Sequence, residues 1–208
     1  MGPLKERGEH NLANFMAAGL AANLAGVAWA NIARVIPDLP DVKYREEIVL
    51  RKSGLTVVND SAATSPDATI AAIRRFSNQG RVILITGGTD KNLDFKPLAR
   101  EIKKTLPPNQ VYFLNGSATQ KLIVELRKTD FKIPARQIFE VLPDILVAIK
   151  NSEYRIENKG SGVQKRRPSI RHSQFTILFS PGAASFEKFR NEFDRGKKFA
   201  KYSKHIFR

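Results

Sequence analysis

Three short stretches of this chain carry side chains that could do chemistry. Asn59-Asp60-Ser61, with Thr64 close behind, offers an amide, a carboxylate and two hydroxyls. Gly87-Gly88-Thr89-Asp90-Lys91 places a cation just after a glycine turn. Ser180-Pro181-Gly182-Ala183-Ala184-Ser185 is built mostly of small residues with a hydroxyl at each end. Each follows a segment that reads as a strand. Ligands of open α/β sheets bind beyond the carboxyl ends of strands, so all three fall where a site would sit. Asp60 is the strongest carboxylate candidate among them. Gly87 and Gly88 permit a tight turn and close approach of backbone to a ligand. Gly182, Ala183 and Ala184 would do the same at a helix N-terminus, where backbone N–H groups suit a carboxylate. Taken singly, each stretch is equally an ordinary strand-to-helix connection. The Gly-x-x-x-x-Gly-Lys-Ser/Thr spacing of a phosphate-binding P-loop is absent, and so is the Gly-x-Gly-x-x-Gly of a dinucleotide site.

The elements that must position these residues follow from periodicity and turn chemistry. Leu12, Phe15, Met16, Leu20, Leu24 and Val27 recur at three- and four-residue steps, which predicts a helix over 10–30. Pro37-Asp38-Leu39-Pro40 reads as a rigid linker. Ile48–Leu50 and Leu55–Val58 read as two strands of a hairpin turning near Ser53-Gly54. Ser65-Pro66-Asp67 is a strong helix start, and Ile70, Ile73 and Phe76 give that helix its apolar stripe. Further strands are expected at 81–86, 111–114, 138–141 and 175–179. Helices are expected at 97–106, from about 117 through Arg127, at 143–150 and from Ala183 to Phe189. This alternation predicts an α/β fold with a Rossmann-like, mostly parallel sheet flanked by helices.

Composition narrows the classes further. The chain has 208 residues, 42% of them apolar, enough for one packed domain and part of another. It has no cysteine, so disulfides and thiolate metal sites are excluded. Its three histidines, His10, His172 and His205, form no ligand cluster in the sequence, and no metal site is expected within it. No long apolar run and no signal-peptide pattern is present, so the reading is a cytoplasmic protein without a membrane partner. The net charge of +15 permits nucleic-acid binding. No aromatic-and-basic recognition pattern accompanies it, and a solvated basic surface is the preferred reading. The stretch 157–173 is polar, basic and turn-rich, and reads as an exposed insertion.

Four segments together resemble the Mur ligases, ATP-dependent amide-forming enzymes of peptidoglycan synthesis, and within them the branch that adds D-glutamate. They are Gly8-Glu9-His10-Asn11 with Asn14, 59–69, Gly87–Phe95 (GGTDKNLDF) and Ser180–Phe199 (SPGAASFEKFRNEFDRGKKF), in the family's order and covering nearly the whole chain. The resemblance implies that residues 1–40 are a helical remnant and linker from the end of a central ATP-binding domain. Residues 41–208 would then be the C-terminal domain, with the basic insertion inside it. By the same resemblance Asn11 and Asn14 would meet the adenosine end of ATP, Arg45 an ATP phosphate, and Asp60 the region of the ATP ribose. Thr64, Lys91, Ser185 and the backbone of Phe186 would hold D-glutamate. Arg45 and Glu47 match the family's His-Arg-x-Glu pattern, whereas Tyr44 departs from it. Ala62 stands where the family often has a lysine. Asn191, Arg195 and Gly196 complete the signature and are assigned to packing and turn geometry.

The implied function is that of the C-terminal part of a ligase joining D-glutamate to UDP-N-acetylmuramoyl-L-alanine. The ATP phosphates, the Mg2+ ligands and the sugar-nucleotide site would lie in N-terminal and central domains or in a partner chain. The chain by itself is therefore expected not to ligate. Two other readings are carried alongside: a non-catalytic binding module on the same fold, and a basic nucleic-acid-binding protein.

Overall fold

The computed structural model describes residues 9–39, 42–159 and 175–208. The chain divides into two compact units between Val42 and Lys43.

The first unit is helical. Helix α1 (Glu9–Leu24) and helix α2 (Trp29–Val35) are followed by a 3-10 turn, Ile36–Asp38. The single helix expected over 10–30 is thus broken. Gly26 adopts φ +95, a conformation that suits a residue without a Cβ, and the Asn23 amide caps the reversal by donating to the Val27 carbonyl at 3.1 Å. Gly19 is the buried point of α1, with Ile32 and Trp29 of α2 beside it. The predicted apolar stripe is largely exposed: Met16, Leu20, Leu24 and Val27 face solvent, and only Leu12 and Phe15 are half-buried. Of the expected linker, Pro37 and Asp38 lie in the 3-10 turn and Pro40 lies outside the described residues.

The second unit is a six-stranded sheet in the order β1-β2-β6-β3-β4-β5. Strands β1 (Glu47–Lys52) and β2 (Leu55–Asn59) form the predicted antiparallel hairpin. Strands β3 (Arg81–Thr86), β4 (Val111–Leu114), β5 (Ile138–Phe139) and β6 (Phe175–Phe179) are parallel to β2. Their sequences are continuous apolar runs because both faces are covered. On one face Val58, Leu84, Phe113 and Leu178 pack under α3 (Pro66–Ser77), α4 (Lys96–Thr105) and α5 (Ser117–Arg127). On the other, Val57, Ile83, Ile85 and Ile177 pack under α6 (Leu142–Lys159) and α7 (Glu192–Ile206). Alternate residues of one strand serve opposite faces, as a two-residue repeat requires.

Three expectations are corrected here. Residues 183–189 are not a helix; the closing helix starts at Glu192, behind an Asn191 N-cap whose side chain accepts from the Asp194 amide at 2.8 Å. The helix expected at 143–150 runs on to Lys159, so the start of the predicted insertion is helical; residues 160–173 lie outside the described residues. Ser65 does precede α3, but its side chain makes no capping hydrogen bond.

The order of strands creates the place for a site. The exits of β2 and β3 lead to helices on one face, and the exit of β6, between them, leads to α7 on the other. Neighbouring loops that part in opposite directions leave a crevice at the carboxyl edge.

Candidate functional site

The three chemistry-bearing stretches of the sequence meet at this edge. Their backbones are joined directly. The Asp60 amide donates to the Phe179 carbonyl at 2.8 Å and the Gly87 amide to the Pro181 carbonyl at 2.9 Å. Thr89 and Ala184 exchange a pair of hydrogen bonds at 2.9 and 3.0 Å, an isolated antiparallel bridge that ties the β3 exit to the β6 exit. Gly88 makes this approach possible: a Cβ there would lie 2.6 Å from the Ala184 carbonyl oxygen.

Arg195 holds the assembly from beneath. It is fully buried and is the largest such side chain in the described structure. Its Nε donates to Ser61 Oγ at 3.0 Å and its Nη2 to the Ser61 carbonyl at 2.8 Å. Its Nη1 donates to the carbonyls of Ala183 and Ala184 at 3.1 and 2.9 Å. A planar fork of donors is suited to gathering several carbonyls at once. Burial brings the guanidinium down to about 10, with the charges of Glu192 and Asp60 opposing that shift. Beside it, Gly196 leaves room for the Tyr44 ring, 2.5 Å from where a Cβ would be, and its carbonyl accepts from the Asn59 amide at 3.0 Å. The assignment of Asn191, Arg195 and Gly196 to packing and turn geometry agrees with these contacts.

Asp60 is buried, only 4% exposed. One carboxylate oxygen accepts from the Ser180 hydroxyl at 2.7 Å, the other from the Glu46 amide at 3.2 Å. Thr69 Oγ1 sits 2.9 Å from the same Ser180 hydroxyl. Burial raises the Asp60 carboxyl to about 7; the nearby Glu46 adds to the rise, while the Ser180 hydrogen bond and the Arg45 charge oppose it. Glu46, also buried, pairs with Arg75. Thr69, Glu46 and Arg75 were not singled out in the sequence. Ser180 was visible as the first residue of its motif, but nothing in the spacing links it to Asp60.

Arg45 is exposed, between Tyr44 and Glu46, both with positive φ (63 and 49). The loop is fixed on each side: the Ala62 amide donates to the Tyr44 carbonyl at 2.8 Å, and the Tyr44 amide to a Glu47 carboxylate oxygen at 3.0 Å. Thr64 and Lys91 come together, with Nζ donating to Oγ1 at 3.2 Å. Lys91 is exposed and Thr64 half-buried. The preceding Asp90 pairs with Lys121, whose hydrogen bond holds the Asp90 carboxyl below the usual range. Ser185 is 3% exposed and its Oγ has no hydrogen-bond partner among the described residues. Phe186 is 65% exposed, at the start of a turn closed by the Lys188 and Phe189 amides on the Ser185 carbonyl. Asn11 lies near the start of α1, and Asn14 is exposed on the same helix; both belong to the helical unit. No group of three His, Asp or Glu residues is placed to hold a metal ion among the described residues. No helix among them is long and apolar enough to cross a membrane.

Comparison with known proteins gives a consistent set of relatives. No protein-family model matches the chain. The chain is 39% identical over 193 residues to the UDP-N-acetylmuramoylalanine–D-glutamate ligase of Roseiflexus sp. (strain RS-1), spanning 93% of this chain and 37% of that protein. It is 36% identical over 178 residues to the protein of the same name in Treponema pallidum (strain Nichols), spanning 85% of this chain and 28% of the relative. Among solved structures, MurF from Acinetobacter baumannii superposes with a TM-score of 0.63 at 16% identity, covering 97% of this chain and 38% of that one. The UDP-N-acetylmuramate-alanine ligase MurC of Thermotoga maritima gives 0.59 at 15% identity, covering 95% and 38%. The structural likenesses concern the fold. The chain spans well under half the length of the relatives it matches.

Proposed function

From the premise that this chain is a homologue of the Mur ligases along nearly its whole length, we propose that it is the C-terminal part of a ligase adding D-glutamate to UDP-N-acetylmuramoyl-L-alanine. The observation that carries the reading is the 39% identity, over 93% of this chain, to a protein named for that reaction. ATP and Mg2+ belong to the proposed reaction, and the cytoplasm to its setting. In such a reaction a substrate carboxylate takes the terminal phosphoryl group of ATP, releasing ADP. The D-glutamate amine then attacks the acyl phosphate, forming the amide and releasing phosphate.

The chain's own residues take roles that their settings support. Arg45, exposed on a loop fixed from both sides, receives an ATP phosphate, for which a permanently charged planar fork is suited. Asn14 and Asn11 are assigned by the resemblance to the adenosine end, for which a side-chain amide is suited because it offers a donor and an acceptor together. Asp60, engaged with Ser180 and the Glu46 amide, orients the β2 exit near the ribose; its burial leaves little of the carboxylate for direct contact. The exposed Lys91 and the half-buried Thr64 hydroxyl beside it form a donor pair for a D-glutamate carboxylate. Ser185 and the Phe186 backbone take the other end of that ligand. No group of three His, Asp or Glu residues among the described residues is placed to hold Mg2+, and its ligands are assigned to the remainder of the enzyme. Domain roles follow the same reading: the helical unit is the end of the central domain, and the sheet unit is the C-terminal domain. Bringing ATP, acceptor and amino acid into one closed arrangement supplies most of the catalysis.

The test is reconstitution. The chain is combined with the part of the Roseiflexus relative that it does not span, and amide formation from UDP-N-acetylmuramoyl-L-alanine, D-glutamate and ATP is followed by mass spectrometry. Product is expected from the mixture and from neither half alone. Lys91→Ala is expected to lower activity at least about 100-fold through loss of a charged ligand contact. Product formed by this chain alone, or full activity with Lys91→Ala, overturns the reading.

A further inference from the structure

Helix α5 begins at the carboxyl edge, and its N-terminus is already filled by an anion from the protein itself. The Glu187 carboxylate accepts from the Ser117 amide at 3.1 Å and from the Ser117 hydroxyl. It lies over Gly116, 2.7 Å from where a Cβ would be. Glu187 is not buried to do this; it is exposed, on the short turn after Ser185. Its own amide is held by Thr89 Oγ1 at 2.9 Å, so the turn is anchored while the side chain reaches across. The amide of Asp90, immediately before Lys91, donates to the same Ser117 hydroxyl at 2.8 Å. The carboxylate therefore sits within the loop cluster that presents Lys91.

A second observation points the same way. Ser185 shares a tightly packed lining with Gly88, Thr89, Ala184, Glu187 and Arg195, among others, in which no water-sized space remains. The Ser185 hydroxyl there is buried and has no partner among the described residues. A buried hydroxyl without a partner is uncommon and calls for a ligand or a rearrangement that satisfies it. Here it shares a lining with Glu187, whose carboxylate sits on a helix N-terminus, where amides and dipole favour negative charge.

We propose that Glu187 is an internal stand-in for a ligand carboxylate: it occupies the N-terminus of α5 until the acidic amino acid displaces it. The ligand's carboxylate takes the Ser117 amide and hydroxyl, and the freed turn brings the Ser185 hydroxyl to the same group. The inference rests on reading this edge as an amino-acid site. A side chain that occupies the site most of the time lowers apparent affinity by the fraction of time the site is free. Removing it strengthens binding, opposite in sign to the loss of an ordinary contact residue.

The experiment uses the whole chain and measures D-glutamate binding by calorimetry, with amide shifts followed by NMR. In the unmodified protein, D-glutamate shifts the Ser117 amide and the Glu187 carboxylate carbon together. Glu187→Ala, and Glu187→Gln as a variant of preserved size, bind D-glutamate about five- to tenfold more tightly. Unchanged or weaker binding in the variants, or a Glu187 carbon that does not respond in the unmodified protein, overturns the proposal. Acetate and inorganic phosphate are run in parallel. If D-glutamate fails to bind but acetate shifts Ser117 in the variants alone, the anion site stands and the amino-acid reading falls. If only phosphate does so, or no anion does, the carboxylate stand-in is wrong.

Discussion

Two cations at the same sheet edge have opposite surroundings. Arg195 is wholly buried, and every nitrogen of its fork is spent on the protein's own oxygens. Lys91 is exposed and, among the described residues, reaches only the Thr64 hydroxyl. The first is a structural fastener, binding the exits of β2 and β6 together. The second is available to a ligand. A positive charge near a cleft is therefore no guide to its role until its hydrogen bonds are accounted for.

The contrast can be broken by substitution. Arg195→Ala leaves the Ser61 and Ala183 carbonyls buried without a donor, and is expected to cost about 4 kcal/mol. The melting temperature of the chain should fall by about 10 °C in a thermal scan. Gly88→Ala forces a left-handed alanine against the Ala184 carbonyl and should cost about 3 kcal/mol, measured by urea unfolding. Asp60 gives a dependence on pH. Its carboxyl is raised from 3.8 to about 7 in the folded protein, so the folded state holds the proton more tightly than the unfolded chain does. Its contribution is fully present below about pH 4 and is lost as pH rises through 7. The loss should be on the order of 4 kcal/mol, and Asp60→Asn should flatten that part of the stability profile. Lys91→Ala should change stability by less than about 0.5 kcal/mol while weakening D-glutamate binding. A large loss of stability with Lys91→Ala, or none with Arg195→Ala, would erase the distinction.

Much of the sheet was legible because burial on both faces demands continuous apolar runs. Arg81–Thr86, Val111–Leu114 and Phe175–Phe179 match their predicted bounds for that reason. The hairpin was legible from Ser53-Gly54, and both residues do adopt positive φ. Residues 183–189 were misread because Ala-Ala-Ser-Phe-Glu-Lys-Phe suits a helix locally. Tertiary bonds override that preference. The Ala183 and Ala184 carbonyls are taken by Arg195, and Ala184 also pairs with Thr89, leaving neither free for helical bonding. The helix can begin only after the Asn191 cap. Thr64 and Lys91 were named from the sequence and do touch, although 27 positions apart. The Asp60–Ser180 pair and the Glu187–Ser117 contact escaped notice. They join residues far apart in the chain, and no local pattern marks either pairing.

The position of β6 has a consequence for synthesis. Both β2 and β3 use it as their neighbour, yet both are made long before it. While the ribosome is still producing α6, these strands present unpaired edges and apolar faces. Such edges are prone to joining other chains. The sheet can close only when Phe175–Phe179 arrives, and Arg195 follows to lock the exits. A nascent chain stalled before that strand would need a chaperone's protection until β6 and α7 have both left the ribosome.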